Sequence, residues 1–245
     1  MALPRRATAL VPALLVLTNV LGWSALLSSV AMPPMAVALM VASGAALRLA
    51  TQIGVRWTLA IGIALTGVGL GLMALSVSVD GGYLSILGGL LALGFGSGLA
   101  MTPSTEAITS SLPREKQGVA SALYDVTREF GTALGVALLG ALLSAGYRSS
   151  LDGKLQGIPQ GTADTARDGI ANALEAAPSA GPRAQDLVHA ARQSFVDGWQ
   201  QAMWVGTAVM AALFVCIALR GPKNPAPMTA DEAEVTENVA ARRSR

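Results

Sequence analysis

Long runs without a charged residue divide the chain into apolar blocks of membrane-spanning length. No Asp, Glu, Lys or Arg occurs over residues 7–47, and further uncharged runs cover 57–79, 81–105, 130–147 and 198–219. About 20 apolar residues in a helix cross the hydrocarbon layer of a bilayer, so the first run is long enough for two crossings. The pattern predicts an all-α integral membrane protein with six transmembrane helices, at about 7–22, 28–47, 57–79, 84–105, 118–147 and 198–220.

Two other interpretations of these runs are less favoured. Buried helices of a soluble protein usually keep a charged face toward water, which these runs lack. The start Met-Ala-Leu-Pro-Arg-Arg, followed by apolar residues, also resembles a signal peptide. No small-residue cleavage site is obvious before Trp23, and the uncharged run continues into the second helix. We therefore expect a retained membrane helix.

Positive residues indicate the orientation in the membrane. The short outer connections carry Asp80 but no Lys or Arg, if the N-terminus lies inside. The inner segments then carry Arg5, Arg6, Arg48, Arg56, Arg114, Lys116, Arg220, Lys223, Arg242, Arg243 and Arg245. Aromatic residues near predicted helix ends support this register, and they are Trp23, Trp57, Tyr83, Tyr147 and Trp199. The sequence predicts a multi-pass protein of the cell membrane with both termini in the cytoplasm.

Residues 148–197 differ from the rest, since they are rich in Ala, Asp and Arg and are interrupted by prolines. Apolar residues one helical turn apart predict short amphipathic helices over 162–176 and 184–197. We expect an extracytoplasmic loop folded over the outer face, and a ligand-binding module is the alternative. Residues 221–245 are expected to form a disordered cytoplasmic tail.

Composition excludes several classes of chemistry. Charged residues make up 13% of the 245 residues, apolar residues 52%, and the net charge is +2. The mean hydropathy is +0.52. One His and one Cys cannot form a His/Cys metal centre or a disulfide, and no nucleophile–base pair is evident. We expect no enzyme activity, no metal, no cofactor and no nucleic-acid partner.

Glycines spaced four apart indicate close helix packing within the membrane. The pairs are Gly67 and Gly71, Gly94 and Gly98 with Gly96 between them, and Gly131 and Gly135. No strand precedes the 94–98 stretch, so it does not indicate a nucleotide-binding loop. Pro103 is expected to loosen the inner end of its helix.

One charged cluster falls near the start of the fifth predicted helix. Asp125, Arg128 and Glu129 have i, i+3 and i+4 spacing, which puts them on one side of a helix. Charges within a membrane should face the protein interior or a water-filled cavity. The cluster therefore belongs either to a proton or cation pathway or to a structural group at the cytoplasmic mouth. Glu106 is expected to be an interfacial acid at the end of its own helix.

Residues 118–140, G-V-A-S-A-L-Y-D-V-T-R-E-F-G-T-A-L-G-V-A-L-L-G, resemble one helix of the fourteen-helix, QacA-like drug:proton antiporters of the major facilitator superfamily. G-F-G-S-G-L-A-M-T-P at 94–103 resembles the preceding helix, and L-G-W-S-A-L at 21–26 resembles an outer turn. The resemblance covers about residues 20–220. It implies the C-terminal half of a major facilitator fold, built from two inverted three-helix repeats, with a long outer loop before the last helix.

The resemblance implies proton-coupled multidrug efflux. Such carriers bind a small amphipathic or cationic drug between two halves that rock around it. Asp125 is then the first candidate for proton coupling, Arg128 its modulator and Glu129 the second candidate. We expect this chain to lack the N-terminal half, so transport would need that half as a partner or a homodimer. A non-transporting remnant or scaffold, and an outer-face binding module, are the alternatives.

One inner loop departs from the family pattern. L-A-T-Q-I-G-V-R at 49–56 resembles the family's acid-Arg-x-Gly-x-Arg loop, and Gly54 and Arg56 match it. Thr51 and Gln52 stand where the acid and the first Arg usually lie. The resemblance therefore does not predict the family's salt-bridge network at this loop.

Overall fold

The structure is a computed structural model and describes residues 33–77, 83–109 and 117–220. Its helices are α1 (Pro33–Ile53), α2 (Val55–Ser76), α3 (Tyr83–Thr109), α4 (Gln117–Asp152), α5 (Gln160–Arg167), α6 (Ile170–Ala176) and α7 (Ala184–Arg220), with a 3-10 helix at Ala177–Arg183. These ranges contain no strand. The first predicted helix (7–22) and the tail (221–245) lie outside the described residues.

Five of the described helices, α1, α2, α3, α4 and α7, have the length and apolar composition of membrane spans. This confirms the prediction of an all-α membrane protein. The helices extend beyond the uncharged runs, since α1 continues past Arg48 to Ile53 and α3 continues past Glu106 to Thr109. A charged residue marks where a helix leaves the apolar layer, but its side chain is compatible with a helix that continues into water.

A single residue, Gly54, joins α1 to α2. Its φ of 86° lies in the left-handed region, where residues with a Cβ atom are strained. The Gly54 carbonyl accepts hydrogen bonds from the backbone N–H of Thr58 (3.2 Å) and from its hydroxyl (3.0 Å). The predicted inner loop at 48–56 is therefore a tight turn between two helices.

α4 and α7 project beyond the membrane on one side. They contain 36 and 37 residues, or about 55 Å at 1.5 Å per residue, against a hydrocarbon layer of about 30 Å. The stretch 184–197, predicted as a separate short helix, is instead the first part of α7, because no proline follows Pro182 before Arg220. The stretch predicted as one helix over 162–176 is two, α5 and α6, broken at Gly169 with φ 155°.

The ends of α4 and α7 on this side form a helical cap (residues 148–197) together with α5, α6 and the 3-10 helix. The cap side of the bundle is labelled outer and the opposite side inner, without reference to a cell compartment. Leu151, Ala166 and Leu187 are fully buried in the cap. Its apolar core is continuous with Val77 at the end of α2 and with the outer part of α3. The cap and the outer end of the bundle are therefore held by one core.

α3 lies between α1 and α2, and glycines permit both contacts. A Cβ atom on Gly94 would lie 2.5 Å from the carbonyl oxygen of Met35 in α1, and Gly98 is placed in the same way against Leu39. A Cβ atom on Gly96 would lie 2.5 Å from the backbone nitrogen of Thr66 in α2. The G-x-G-x-G stretch therefore faces two neighbouring helices at once, and each approach is too close for a side chain.

Replacing Gly96 by Ala should destabilise the bundle, because the new methyl group would overlap the α2 backbone. We expect a loss of about 1–3 kcal/mol in the free energy of unfolding, measured by thermal unfolding in detergent. Gly88→Ala is the matched control on the same helix, since a Cβ atom there meets nothing within 4 Å. Equal midpoints for the two variants would contradict the described α2–α3 contact.

A polar cluster joins the end of α4 to α7 on one side of the cap. The Asp197 Oδ2 atom accepts hydrogen bonds from the Ser150 hydroxyl (2.6 Å) and the Lys154 ammonium (3.2 Å). Its Oδ1 atom accepts one from the Gln193 amide at 3.1 Å. Partial burial raises the pKa of Asp197, but these hydrogen bonds and the Lys154 charge outweigh burial, so the net pKa lies below its ordinary value.

The cap should therefore loosen in acid. A lowered folded-state pKa gives stability that is present above the unfolded pKa of about 4 and is lost as pH falls through the folded value. We expect the protection of cap amides, which is their exchange rate relative to the unfolded chain at the same pH, to fall below about pH 4, as measured by hydrogen exchange. Asp197→Asn should weaken the cap at neutral pH and flatten this acid dependence. The exposed Asp168→Asn is the control and should retain the wild-type pH profile.

Candidate functional site

Most side chains on the inner part of α4 are exposed, although Tyr124 contacts Thr105 of α3. Leu123 is 66% exposed and Phe130 is 65% exposed. A Cβ atom on Gly131 or Gly135, for which we expected close packing, would meet nothing within 4 Å among the described residues. A different pair of glycines makes the close contact of α4 with a neighbouring helix, because α4 and α7 approach each other near their outer ends.

Gly146 and Gly198 form that crossing. A Cβ atom on Gly146 would lie 2.8 Å from the Cα atom of Gly198, and one on Gly198 would lie 2.7 Å from the carbonyl oxygen of Leu143. Sequence reasoning missed this pair, because each glycine lacks a partner at four-residue spacing within its own helix. Each glycine precedes an aromatic residue, Tyr147 or Trp199. Because aromatic residues favour the membrane boundary, this position is the sequence signal that both glycines lie at the same level.

The structure brings the three predicted charged residues together. The Arg128 guanidinium lies 3.6 Å from Asp125 Oδ1 and 3.4 Å from Glu129 Oε1. Its Cζ atom lies 6.0 Å from the centre of the Tyr124 ring. The side chains are 46% (Arg128), 63% (Asp125) and 62% (Glu129) exposed. One cation thus lies between two carboxylates on a surface that the other described helices leave largely exposed.

Helix register gives the depth of this charged cluster. Asp125 lies 21 residues before Gly146 on α4, and Arg220 lies 22 residues after Gly198 on α7. At 1.5 Å per residue these separations are about 32 and 33 Å along the two helices, close to the thickness of the hydrocarbon layer. The cluster therefore lies near the level of the inner end of α7, and Glu129 lies about one turn deeper than Asp125.

The inner end of α3 lies beside the cluster. The Thr105 hydroxyl of α3 donates a hydrogen bond to the Tyr124 hydroxyl at 3.3 Å. Pro103 is buried and removes one backbone donor from α3, yet the helix continues to Thr109. The Ser104 hydroxyl donates to the Ala100 carbonyl one turn earlier (2.7 Å). Pro103 thus changes the hydrogen bonding of α3 without ending it, and the Glu106 side chain lies outside the described residues.

Arg56 links the inner turn to the last membrane helix. Its Nη2 atom donates a hydrogen bond to the Ala218 carbonyl in the last turn of α7. The last carbonyls of a helix lack partners within the helix and carry partial negative charge, so the guanidinium caps α7. Thr51, at the place of the family's acid, donates to the Arg48 carbonyl at 2.8 Å. Sequence reasoning did not find Ala218, because a backbone acceptor has no side-chain signature.

A shallow polar groove on the cap is the other place where side chains converge. It is lined by Lys154, Gln185, Asp186, His189, Ala190 and Gln193. Lys154 is already paired with Asp197, at 3.2 Å. His189 is exposed. The groove is open and lies far from the charged cluster, and its side chains do not form a set typical of one ligand.

The profile of the Major Facilitator Superfamily matches residues 6–151. The chain belongs to the Major Facilitator Superfamily. The match to this superfamily includes α1 to α4, the inner turn and the charged cluster, and it ends one residue before the end of α4. Superfamily membership and the membrane-spanning helices together confirm the predicted multi-pass membrane protein.

Two similar relatives are named as export or resistance proteins. The chain is 28% identical over 212 residues to "Multidrug resistance protein Stp" from two strains of Mycobacterium tuberculosis, which covers 81% of this superfamily member and 38% of Stp. It is 32% identical over 123 residues to "Cephamycin export protein CmcT" from Amycolatopsis lactamdurans, which covers 49% of this chain and 25% of CmcT. The chain thus spans about two-fifths or less of the length of these relatives.

The charged cluster should contribute little to folding. Ion pairs this exposed are worth about 0–1 kcal/mol, so Asp125→Asn and Arg128→Gln should each change the free energy of unfolding by less than about 1 kcal/mol. Thermal unfolding of the purified chain in detergent tests this. A loss comparable to that of Gly96→Ala would show instead that the cluster holds the helices together.

Proposed function

We propose that this chain is the C-terminal part of a proton-coupled multidrug efflux transporter, of the fourteen-helix antiporter branch. The charged cluster on the inner part of α4 carries the proposal. A charge that faces lipid is costly, so Asp125, Arg128 and Glu129 require a protein partner or a water-filled cavity. The relatives are named for drug resistance and antibiotic export, and this chain covers two-fifths or less of their length, which supports an opposing half formed by residues other than those of this sequence.

Asp125 is the proton carrier in this proposal. Its carboxylate attracts Arg128 at 3.6 Å, and Glu129 attracts the same guanidinium at 3.4 Å. Protonation of Asp125 removes one of these attractions, and Arg128 then pairs with Glu129 alone. A proton can thereby move a cation on the surface that the opposing half would cover, which couples proton binding to the rocking of the two halves.

The substrate class and topology follow from the same proposal. The substrate is a small amphipathic or cationic drug, bound in an apolar cavity between the two halves. The cluster and the Arg56 turn lie on the cytoplasmic side of the cell membrane, with both termini inside, as the distribution of Lys and Arg favours. The partner is the N-terminal half or, failing that, a second copy of this chain. The activity is transport and not catalysis.

Replacing Asp125 by Asn should abolish proton-driven transport, because the amide cannot carry the proton. The full chain is co-reconstituted into liposomes with the part of Stp outside the matched region, and uptake of a fluorescent lipophilic cation is followed after a pH jump. We expect Asp125→Asn to reduce the initial rate at least about tenfold, which is about 1.4 kcal/mol in the barrier. Glu129→Gln should have a smaller effect. Asp168→Asn in the cap is the matched control and should transport like the wild type.

The outcomes separate the alternative functions. Transport by the chain alone indicates a homodimer. A pH-independent rate that is equal for wild type and Asp125→Asn overturns proton coupling through this residue. No transport in any combination, with the sequence upstream of the Met1 codon encoding no membrane helices, favours a remnant or scaffold. Ligand binding at the cap without transport favours the outer-face module.

A further inference from the structure

One arginine, Arg56, lies at the inner end of α2, and another, Arg220, lies at the inner end of α7. Arg56 donates to the Ala218 carbonyl, which places its guanidinium within about one helical turn of Arg220. A guanidinium has five N–H donors, and this contact uses one of them. The Arg56 Nε atom has no acceptor among the described residues, and Arg220 is exposed. Both guanidinium groups thus have N–H donors that find no acceptor in the described part of the chain.

No carboxylate lies on the segments that form this place. Residues 33–77 and 198–220 contain no Asp or Glu, and neither arginine forms an ion pair within the described part of the chain. Like charges that lie close together repel, and the repulsion is stronger near an apolar layer than in water. An anion that accepts hydrogen bonds from both guanidinium groups would offset their like charge.

Apolar surface continues from the arginines toward the membrane. Trp57 is 51% exposed, and the Arg56 guanidinium lies over its ring at 5.9 Å. Ile61 follows one turn later on α2 and is exposed, as is Leu219 beside Arg220. Tryptophan of this kind favours the headgroup level of a bilayer. Anionic charge and acyl chain are therefore both accommodated at this place, which a free phosphate would not use.

We propose that Arg56 and Arg220 bind the phosphate group of an anionic phospholipid, with its acyl chains against Trp57, Ile61 and Leu219. Basic pockets between the ends of membrane helices bind such headgroups in other proteins. The lipid would extend the contact that Arg56 makes with the last turn of α7. This site is distinct from the charged cluster on α4 and does not depend on transport.

The test is a lipid titration of the full chain in detergent, followed by native mass spectrometry. Phosphatidylglycerol and phosphatidylcholine with the same acyl chains are the probes. We expect wild type to bind one phosphatidylglycerol more tightly than phosphatidylcholine. Arg220→Gln should weaken only the phosphatidylglycerol complex, by about fivefold for one lost cation, and Arg220→Lys should restore most of it.

The control is Arg148→Gln, which removes an exposed arginine at the outer end of α4 and should bind both lipids like wild type. Arg220 makes no described hydrogen bond, so Arg220→Gln should fold, and its thermal midpoint checks this. Equal phosphatidylglycerol binding by Arg220→Gln and wild type overturns the proposal. Displacement of the lipid by inorganic phosphate also overturns it, in favour of a soluble-anion site. Much tighter binding after neutralising Asp231, Glu232, Glu234 and Glu237 would identify the acidic tail as the occupant instead.

Discussion

The cost of placing charge and unpaired backbone groups in a hydrocarbon layer governs this structure. α1, α2 and the membrane part of α7 satisfy it by keeping every charge at a helix end, where Arg48, Arg56 and Arg220 can reach water or headgroups. α4 does not satisfy it alone, because Asp125, Arg128 and Glu129 lie on a part of α4 that the other described segments leave largely exposed. The same constraint that makes the other helices stable in lipid therefore makes α4 dependent on a partner or on water.

Close approach of backbones decides how the remaining helices associate. Lipid is as apolar as the helix surfaces, so burying apolar side chains within the membrane gives little net stabilisation, and contact area must come from tight packing. Gly94, Gly96 and Gly98 supply it on both sides of α3, and Gly146 with Gly198 supply it where α4 crosses α7. Outside the membrane the hydrophobic effect operates again, and the cap is held by an ordinary apolar core. α4 is thus fixed at its outer end by the cap and is largely exposed at its inner end, where Tyr124 forms a hydrogen bond with Thr105 of α3.

That asymmetry connects the fold to the proposed transport. A helix held at one end and charged at the other can respond to protonation with a movement of its inner end, while the cap and the α4–α7 crossing stay in place. The inner ends of α2 and α7, by contrast, are joined by the Arg56 contact with Ala218. One side of the inner surface is therefore held together within this chain, and the other is available to the proposed opposing half.

Properties that depend on local composition were accessible from the sequence alone. Uncharged runs gave the membrane class and the approximate spans, residues 94–140 gave the superfamily, and Leu187, Ala191 and Phe195 gave an apolar face that the structure buries in the cap. Only the tertiary structure decided which glycines cross, that 184–220 is one helix, and that the residues at 160–176 form two. The tertiary structure also decided that Arg56 donates a hydrogen bond to the Ala218 carbonyl. Every residue has the same backbone carbonyl, and whether that carbonyl is free to accept a side-chain hydrogen bond depends on where the helix ends. Spacing along one helix could place Asp125, Arg128 and Glu129 together, but their exposure follows from where α4 diverges from its neighbours, which no pattern within α4 encodes.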